Sequence, residues 1–232
     1  MKDFTSSWNI YERSWLFAFC AVAVWVTAAS GDSLFGFFVF LSGVLCMFLA
    51  AKGSILSFPP GIFNAAGYAW LSWQNGLYGE AIGRLFFYLP VMVAGFLMWR
   101  KHIDSRSIVA MRKLPYKTLG YISSACLAFT IVLGFILKPV VIQNTPYIAA
   151  ASNVLAVAAA ILMIRRYREQ WVAYTIFQAL LVIMWVMRIA DGSSEGPIMA
   201  VMWLACLVNS VYGLYNWTKG AEKAEKAAAR PH

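Results

Sequence analysis

GYAWLSWQNGLYGEAIGRLFFYLPVMVAGFLMWRK, Gly67 to Lys101, is the stretch whose reading decides the fold. Two apolar runs meet in it at a polar, aromatic knot of Trp70, Trp73, Gln74, Asn75 and Tyr78. The second run is long enough to cross the roughly 30 Å of hydrocarbon in a bilayer. Inside that medium an unpartnered amide is costly, because no water is there to satisfy it. A Gln-Asn pair flanked by rings at the end of a membrane helix therefore needs a polar partner: another helix, water or a solute. A second cluster of the same kind, Trp185, Trp203, Asn209 and Tyr212, lies near the C-terminus.

The rest of the chain supplies the scaffold for these clusters. Of 232 residues, 61% are hydrophobic and 12% charged, against about a quarter charged in a soluble domain. Mean hydropathy is +0.66. No segment is long enough for a separate soluble domain, so the chain reads as an all-α integral membrane protein. The net charge of +9 lies between the apolar runs, where it orients the helices, and implies no nucleic-acid partner. Cys20, Cys46, Cys126 and Cys206 sit singly inside apolar runs and read as small core residues.

Eight candidate spans follow, at about 14–30, 34–51, 60–77, 80–99, 118–137, 147–164, 170–187 and 196–217. Gly31-Asp32, Pro59-Pro60-Gly61, Lys138-Pro139, Pro146 and Pro197 punctuate them. With this count, all of the 19 Lys and Arg except Arg84, Lys138 and Arg188 fall on one side. That side is cytoplasmic and holds both termini. The first span has a small-residue end, Ala28-Ala29-Ser30, but its length and acidic flank favour a retained helix over a cleaved signal.

Two weak internal echoes, Ile62-Phe63-Asn64-Ala65 with Ile176-Phe177-Gln178-Ala179 and Trp99-Arg100-Lys101 with Trp217-Thr218-Lys219, suggest a repeat. The expected division is an N-terminal segment and extra helix at 1–33, a first three-helix unit at 34–99 and a loop with linker helix at 100–145. A second three-helix unit at 146–217 and a cytoplasmic tail at 218–232 complete it. Two parallel three-helix units joined by one helix (3+1+3) are the plan of parallel-repeat transporters, with the solute held between the units.

None of the ten carboxylates falls in the interior of a span, which argues against a proton pump and against ion coupling. Glu80 and Arg84 stand one helical turn apart and read as a local ion pair, or else a gate charge. His102 and His232 cannot form a catalytic dyad or metal site with intramembrane groups, and no hydrolase or phosphate-loop motif is present. Neither catalytic residues, a metal nor a cofactor is expected. Trp8, Trp15, Trp99, Trp171 and Trp217, near span ends, read as interfacial anchors.

What remains is an uncharged set: Trp70, Trp73, Gln74, Asn75, Tyr78, Gln178, Trp185, Trp203, Asn209 and Tyr212. Gln178 and Trp185 share a helix face at i, i+7, and Asn209 and Tyr212 share one at i, i+3. Interhelical hydrogen bonding is the bland alternative for each amide. Flat rings with neutral amides suit a ring-bearing solute that carries amide and hydroxyl groups. For a cationic ring, a desolvated cation–π contact of about 2 kcal/mol would give roughly 30-fold preference over a neutral analogue. A membrane subunit whose aromatics only pack against partners is the reading from another class.

Gly76-Leu77-Tyr78-Gly79-Glu80 with Trp99, Arg165 through Trp171 (RRYREQW) and Asn209 through Trp217 (NSVYGLYNW) together resemble the PnuC-type nicotinamide riboside transporters. The likeness covers nearly the whole chain after the first span. It implies a 3+1+3 core similar to that of the SWEET sugar transporters, and facilitated diffusion of nicotinamide riboside through the inner membrane, drawn inward by phosphorylation in the cell. It also implies a homotrimer. By the same resemblance, Trp185, Asn209 and Tyr212 enclose the nicotinamide ring, while Gln74 and Gln178 bond its carboxamide or the ribose. Where the family commonly has a Trp three residues after Trp171, this chain has Tyr174. Related carriers with this core move thiamine or riboflavin.

Overall fold

The computed structural model describes residues 10–30, 34–74, 78–105, 107–138, 146–191 and 196–228. The described residues are almost entirely helical. Helices α1 (Ile10–Ser30) and α2 (Leu34–Ala51) are followed by a single 3-10 turn (Ile55–Ser57) that leads into α3 (Phe58–Gln74). Next come α4 (Tyr78–Gly83), a π-helical turn (Arg84–Tyr88) and α5 (Leu89–Trp99), which form one continuous rod. Helices α6 (Tyr116–Leu137), α7 (Pro146–Ile164), α8 (Gln170–Ala190) and α9 (Gly196–Ala228) complete the chain. Pro59 and Pro60 stand in the first turn of α3, Pro146 starts α7 and Pro197 lies in the first turn of α9. At these positions a missing N–H costs little.

Among the described residues, five helical stretches are long and apolar enough to cross a membrane: Leu34–Ala51, Ala81–Trp99, Tyr116–Leu137, Pro146–Ile164 and Gln170–Ala190. Helix α1, expected as the first span, is not among them, nor are α3 and α9, which carry Trp70, Gln74, Asn209 and Tyr212. At 17 residues α3 is shorter than each of these stretches, which run from 18 to 22 residues. Helix α9 also runs past the expected end at 217 to Ala228, through an Ala, Glu and Lys sequence that favours helix and allows charge pairs one turn apart.

The π turn has a local cause. Leu89 N–H donates to Arg84 O, five residues back. Pro90 follows, with no N–H and a ring that collides with the carbonyl four residues earlier in a regular helix. Widening the turn moves that carbonyl aside, and such bulges recur at functional sites.

The chain divides into two compact units, one made of the residues up to Ala50 with Ile55–Phe96, the other of Ala51–Ser54 with the chain from Leu97 on. In the first unit, Asn64 Nδ2 donates to Val39 O at 2.7 Å and ties α3 to α2. The buried Phe58 ring meets Phe96 edge-on at 6.2 Å, joining the start of α3 to the last residue of the unit.

In the second unit, α6 packs on α7, α7 on α8 and α8 on α9. The loop from Arg100 to Pro115 is strapped to its surroundings by backbone bonds. Val109 N donates to Gly53 O, Arg112 N to Arg166 O and Arg168 N to Arg112 O, each at 2.9 Å. Gly53 accepts its bond from a left-handed turn (φ +73°), a conformation that suits glycine. Arg166 is also left-handed (φ 63°), and its guanidinium donates to Ala110 O at 3.2 Å. Burial, and then the positive charge of Arg112, lowers the pKa of Arg166.

Three Trp expected as interfacial anchors are instead core residues of this unit. Trp99 and Trp217 are 0% exposed and Trp171 is 4% exposed. Trp217 packs tilted against Trp99 at 5.4 Å and Trp171 at 6.4 Å between ring centres, and Trp99 Nε1 donates to Met163 O at 2.9 Å. Gly213 makes the closure possible, because a Cβ there would lie 2.5 Å from the Trp171 ring. Trp15 is half-buried on α1, and Trp8 lies outside the described residues.

Candidate functional site

The expected site residues divide between the two units. In the first, α3 ends on Trp70, Trp73 and Gln74, and α4 opens on Tyr78. Trp70 is 58%, Trp73 56% and Tyr78 55% exposed, and Gln74 is exposed as well. Asn75 lies outside the described residues. Trp73 and Tyr78 meet edge-to-face at 4.9 Å, which brings the two ends of the α3–α4 connection together. Beside them a groove of about 320 Å³ is lined by Ala66, Ala69, Trp70, Trp73, Ala81, Ile82, Leu85 and Phe86. Its walls are apolar, and neither Gln74 nor Tyr78 lines it.

Next to this shelf the Arg84 guanidinium lies over two rings, 4.2 Å from Tyr68 and 4.7 Å from Tyr88. Desolvated contacts of this kind are worth about 2 kcal/mol or more. Tyr68 drew no attention in the sequence, because a Tyr four residues from an amide on an apolar helix carries no spacing signal. The side chain of Glu80, the expected partner of Arg84, lies outside the described residues.

The second unit holds a more enclosed polar cluster. Gln178 on α8 and Asn209 and Ser210 on α9 are all buried. Ser210 Oγ donates to Gln178 Oε1 at 2.5 Å across the α8–α9 interface. Trp203 sits two turns before Ser210 on α9, and its ring meets Phe177 edge-on at 5.6 Å. The Trp203 indole Nε1 is buried without a hydrogen-bond partner. Trp185 is half-buried with the Arg188 guanidinium 4.8 Å above its ring, and Tyr212 is half-buried one turn beyond Asn209. The structure thus brings Gln178 together with Ser210, the residue after the expected Asn209.

Ser210 and Arg188 are additions to the expected set. A serine in an apolar helix usually returns its hydroxyl to its own backbone, so sequence alone gives no reason to single one out. Among the described residues, no group of His, Cys, Asp and Glu could hold a metal ion. In the second unit the assembled groups are neutral donors and acceptors near flat rings, with the Arg188 guanidinium lying on one of them.

A profile of the family described as nicotinamide mononucleotide transporter matches residues 33–219. The nicotinamide riboside transporter PnuC of Haemophilus influenzae is 31% identical over 225 residues, covering 94% of each chain. That of Neisseria mucosa is 29% identical over 226 residues, covering 94% of this chain and 84% of the relative. The crystal structure of the vitamin B3 transporter PnuC superposes with a TM-score of 0.76 at 29% identity, again over 94% of both chains. A helical chain with five membrane-length apolar stretches among its described residues, two ring-and-amide clusters and a match across most of its length belongs to the nicotinamide mononucleotide transporter family.

Proposed function

We propose that this chain is a membrane transporter, not an enzyme, that carries nicotinamide riboside by facilitated diffusion as a precursor of NAD. The observation that carries the reading is the buried neutral cluster of Gln178, Ser210 and Asn209, with Trp203 two turns earlier on α9, in a protein whose relatives are named for this riboside. The riboside offers a flat pyridinium ring, a carboxamide and ribose hydroxyls, which match rings, amides and a hydroxyl one for one in kind.

The family description names the mononucleotide and the relatives name the riboside, a difference of one phosphate. Neutral amides with a serine suit the riboside better. A phosphate group would need the full charge of an Arg or Lys, and Arg84 and Arg188 already lie against aromatic rings.

The architecture that goes with this reading has eight spans. An extra N-terminal helix precedes three-helix repeats at 34–99 and 146–217, joined by a linker helix. Both termini are cytoplasmic at the inner membrane. The residues that would touch the solute are Trp70, Trp73, Gln74, Asn75, Tyr78, Gln178, Trp185, Trp203, Asn209 and Tyr212. A homotrimer is the assembly that the family resemblance implies.

Calorimetric titration of the purified, detergent-solubilised protein tests the proposal. Saturable binding of nicotinamide riboside, without binding of the mononucleotide, thiamine or riboflavin, is the expected result. Saturation by one of the other vitamins instead would keep the transporter and replace its substrate. Silence toward all of them from folded protein would leave a packing subunit.

A further inference from the structure

We propose that Ser210 is a positioning residue that locks the Gln178 amide, so that its Nε2 end, a donor, faces the solute and selects a carbonyl oxygen. The inference deepens the riboside reading above and rests on it.

The behaviour of the other helical hydroxyls makes Ser210 distinctive. Ser42 donates to Val39 O at 2.7 Å, Ser152 to Ala149 O at 2.9 Å and Thr175 to Trp171 O at 2.7 Å, each within its own helix. That is the ordinary habit of Ser and Thr in apolar helices. Ser210 is 0% exposed, and its hydroxyl crosses to α8 and donates to Gln178 Oε1 at 2.5 Å. With Oε1 engaged by a proton donor, the Gln178 amide offers its Nε2 hydrogens to any further partner. The opposite orientation requires the serine hydroxyl to accept from Nε2 and to place its own proton elsewhere. Two turns before Ser210, and so on the same face of α9, Trp203 Nε1 is buried with no partner. An indole N–H is donor only. These two groups, Gln178 Nε2 and Trp203 Nε1, therefore both present donors.

The donor at Gln178 identifies the group it would recognise. A ribose hydroxyl donates and accepts equally well, so it gains nothing from an amide held in one orientation. A carboxamide oxygen only accepts, and a donor locked in place discriminates in its favour. Gln178 is therefore assigned to the carbonyl of the nicotinamide group and not to the ribose.

The test is titration of purified protein with three ribosides. These are nicotinamide riboside, 3-acetylpyridine riboside, which keeps the carbonyl and loses the amide N–H, and pyridine riboside, which lacks the carbonyl. The ratio of affinities for the last two isolates the carbonyl contact. Wild type is expected to favour the acetyl compound about 10-fold. Ser210→Ala is expected to shrink that ratio to about 2-fold, and Ser210→Thr, which keeps the hydroxyl, to preserve it. An interhelical bond with no part in recognition would weaken both ligands by a common factor and leave the ratio unchanged in Ser210→Ala, which overturns the proposal. A wild-type ratio near one overturns it as well. Should Ser210→Ala fail to fold, Gln178→Met decides, since persistence of the wild-type ratio without the amide sinks the assignment. Wild type that does not bind nicotinamide riboside at all defeats the transport reading itself, and that failure is visible before any variant is made.

Discussion

Trp99, Trp171 and Trp217 in the second unit are closed off almost completely, while Trp70, Trp73 and Tyr78 in the first leave more than half of their surface open. All six are large rings at or near the ends of helices, where an interfacial anchor is the usual reading. What separates them is the chain around them. The loop from Arg100 to Pro115 is fastened by backbone bonds to Gly53 and to the turn before α8, and Gly213 lets Trp171 press against α9. The rings in the first unit stand at a short connection whose neighbouring groove has apolar walls. One region is built to hold still. The other keeps its rings available, as a surface that meets lipid or a solute requires.

The contrast is sharpest in stability. Trp99→Ala removes a fully buried ring and its bond to Met163 O, and should cost about 3–5 kcal/mol, seen as a large fall in the unfolding midpoint in detergent. A midpoint unchanged from wild type would mean that the closed region is not a core. Glu169→Ala comes next. The buried carboxylate accepts from Leu114 N at 3.1 Å and from Arg168 Nε at 3.0 Å, fastening the loop to the start of α8. Its loss should cost about 2–3 kcal/mol, with hydrogen exchange rising first at Leu114. Protection retained there would show that the strap holds without its anion.

Function should break elsewhere. Trp185→Ala and Asn209→Leu are each expected to weaken nicotinamide riboside binding by about one to two orders of magnitude, with the fold intact. Wild-type affinity in a folded variant removes that residue from the site. The smallest effect on stability belongs to Trp73→Ala, whose exposed ring should cost less than about 1 kcal/mol on unfolding. A loss as large as that of Trp99→Ala would erase the distinction between the two regions.

Much of the helical plan was legible in the residues alone. Transfer of apolar side chains into hydrocarbon is local and nearly additive, so a run such as Leu34 to Ala51 announces itself by composition. Proline speaks just as locally, and Pro60, Pro146 and Pro197 fall within the helix starts at which they were read. The family was legible for a similar reason, since its motifs at 76–80, 165–171 and 209–217 are contiguous stretches. Partnership across the chain was not. Trp99 meets Met163 over 64 residues and Leu114 meets Glu169 over 55, distances at which no spacing rule applies. Trp217 and Trp73 look alike in sequence, and only the packing of distant segments decided that one is core and the other surface. The same holds for Ser210, whose hydroxyl could have turned back on its own helix and instead found Gln178, because α8 and α9 pack closely enough for a side chain on one to satisfy a side chain on the other.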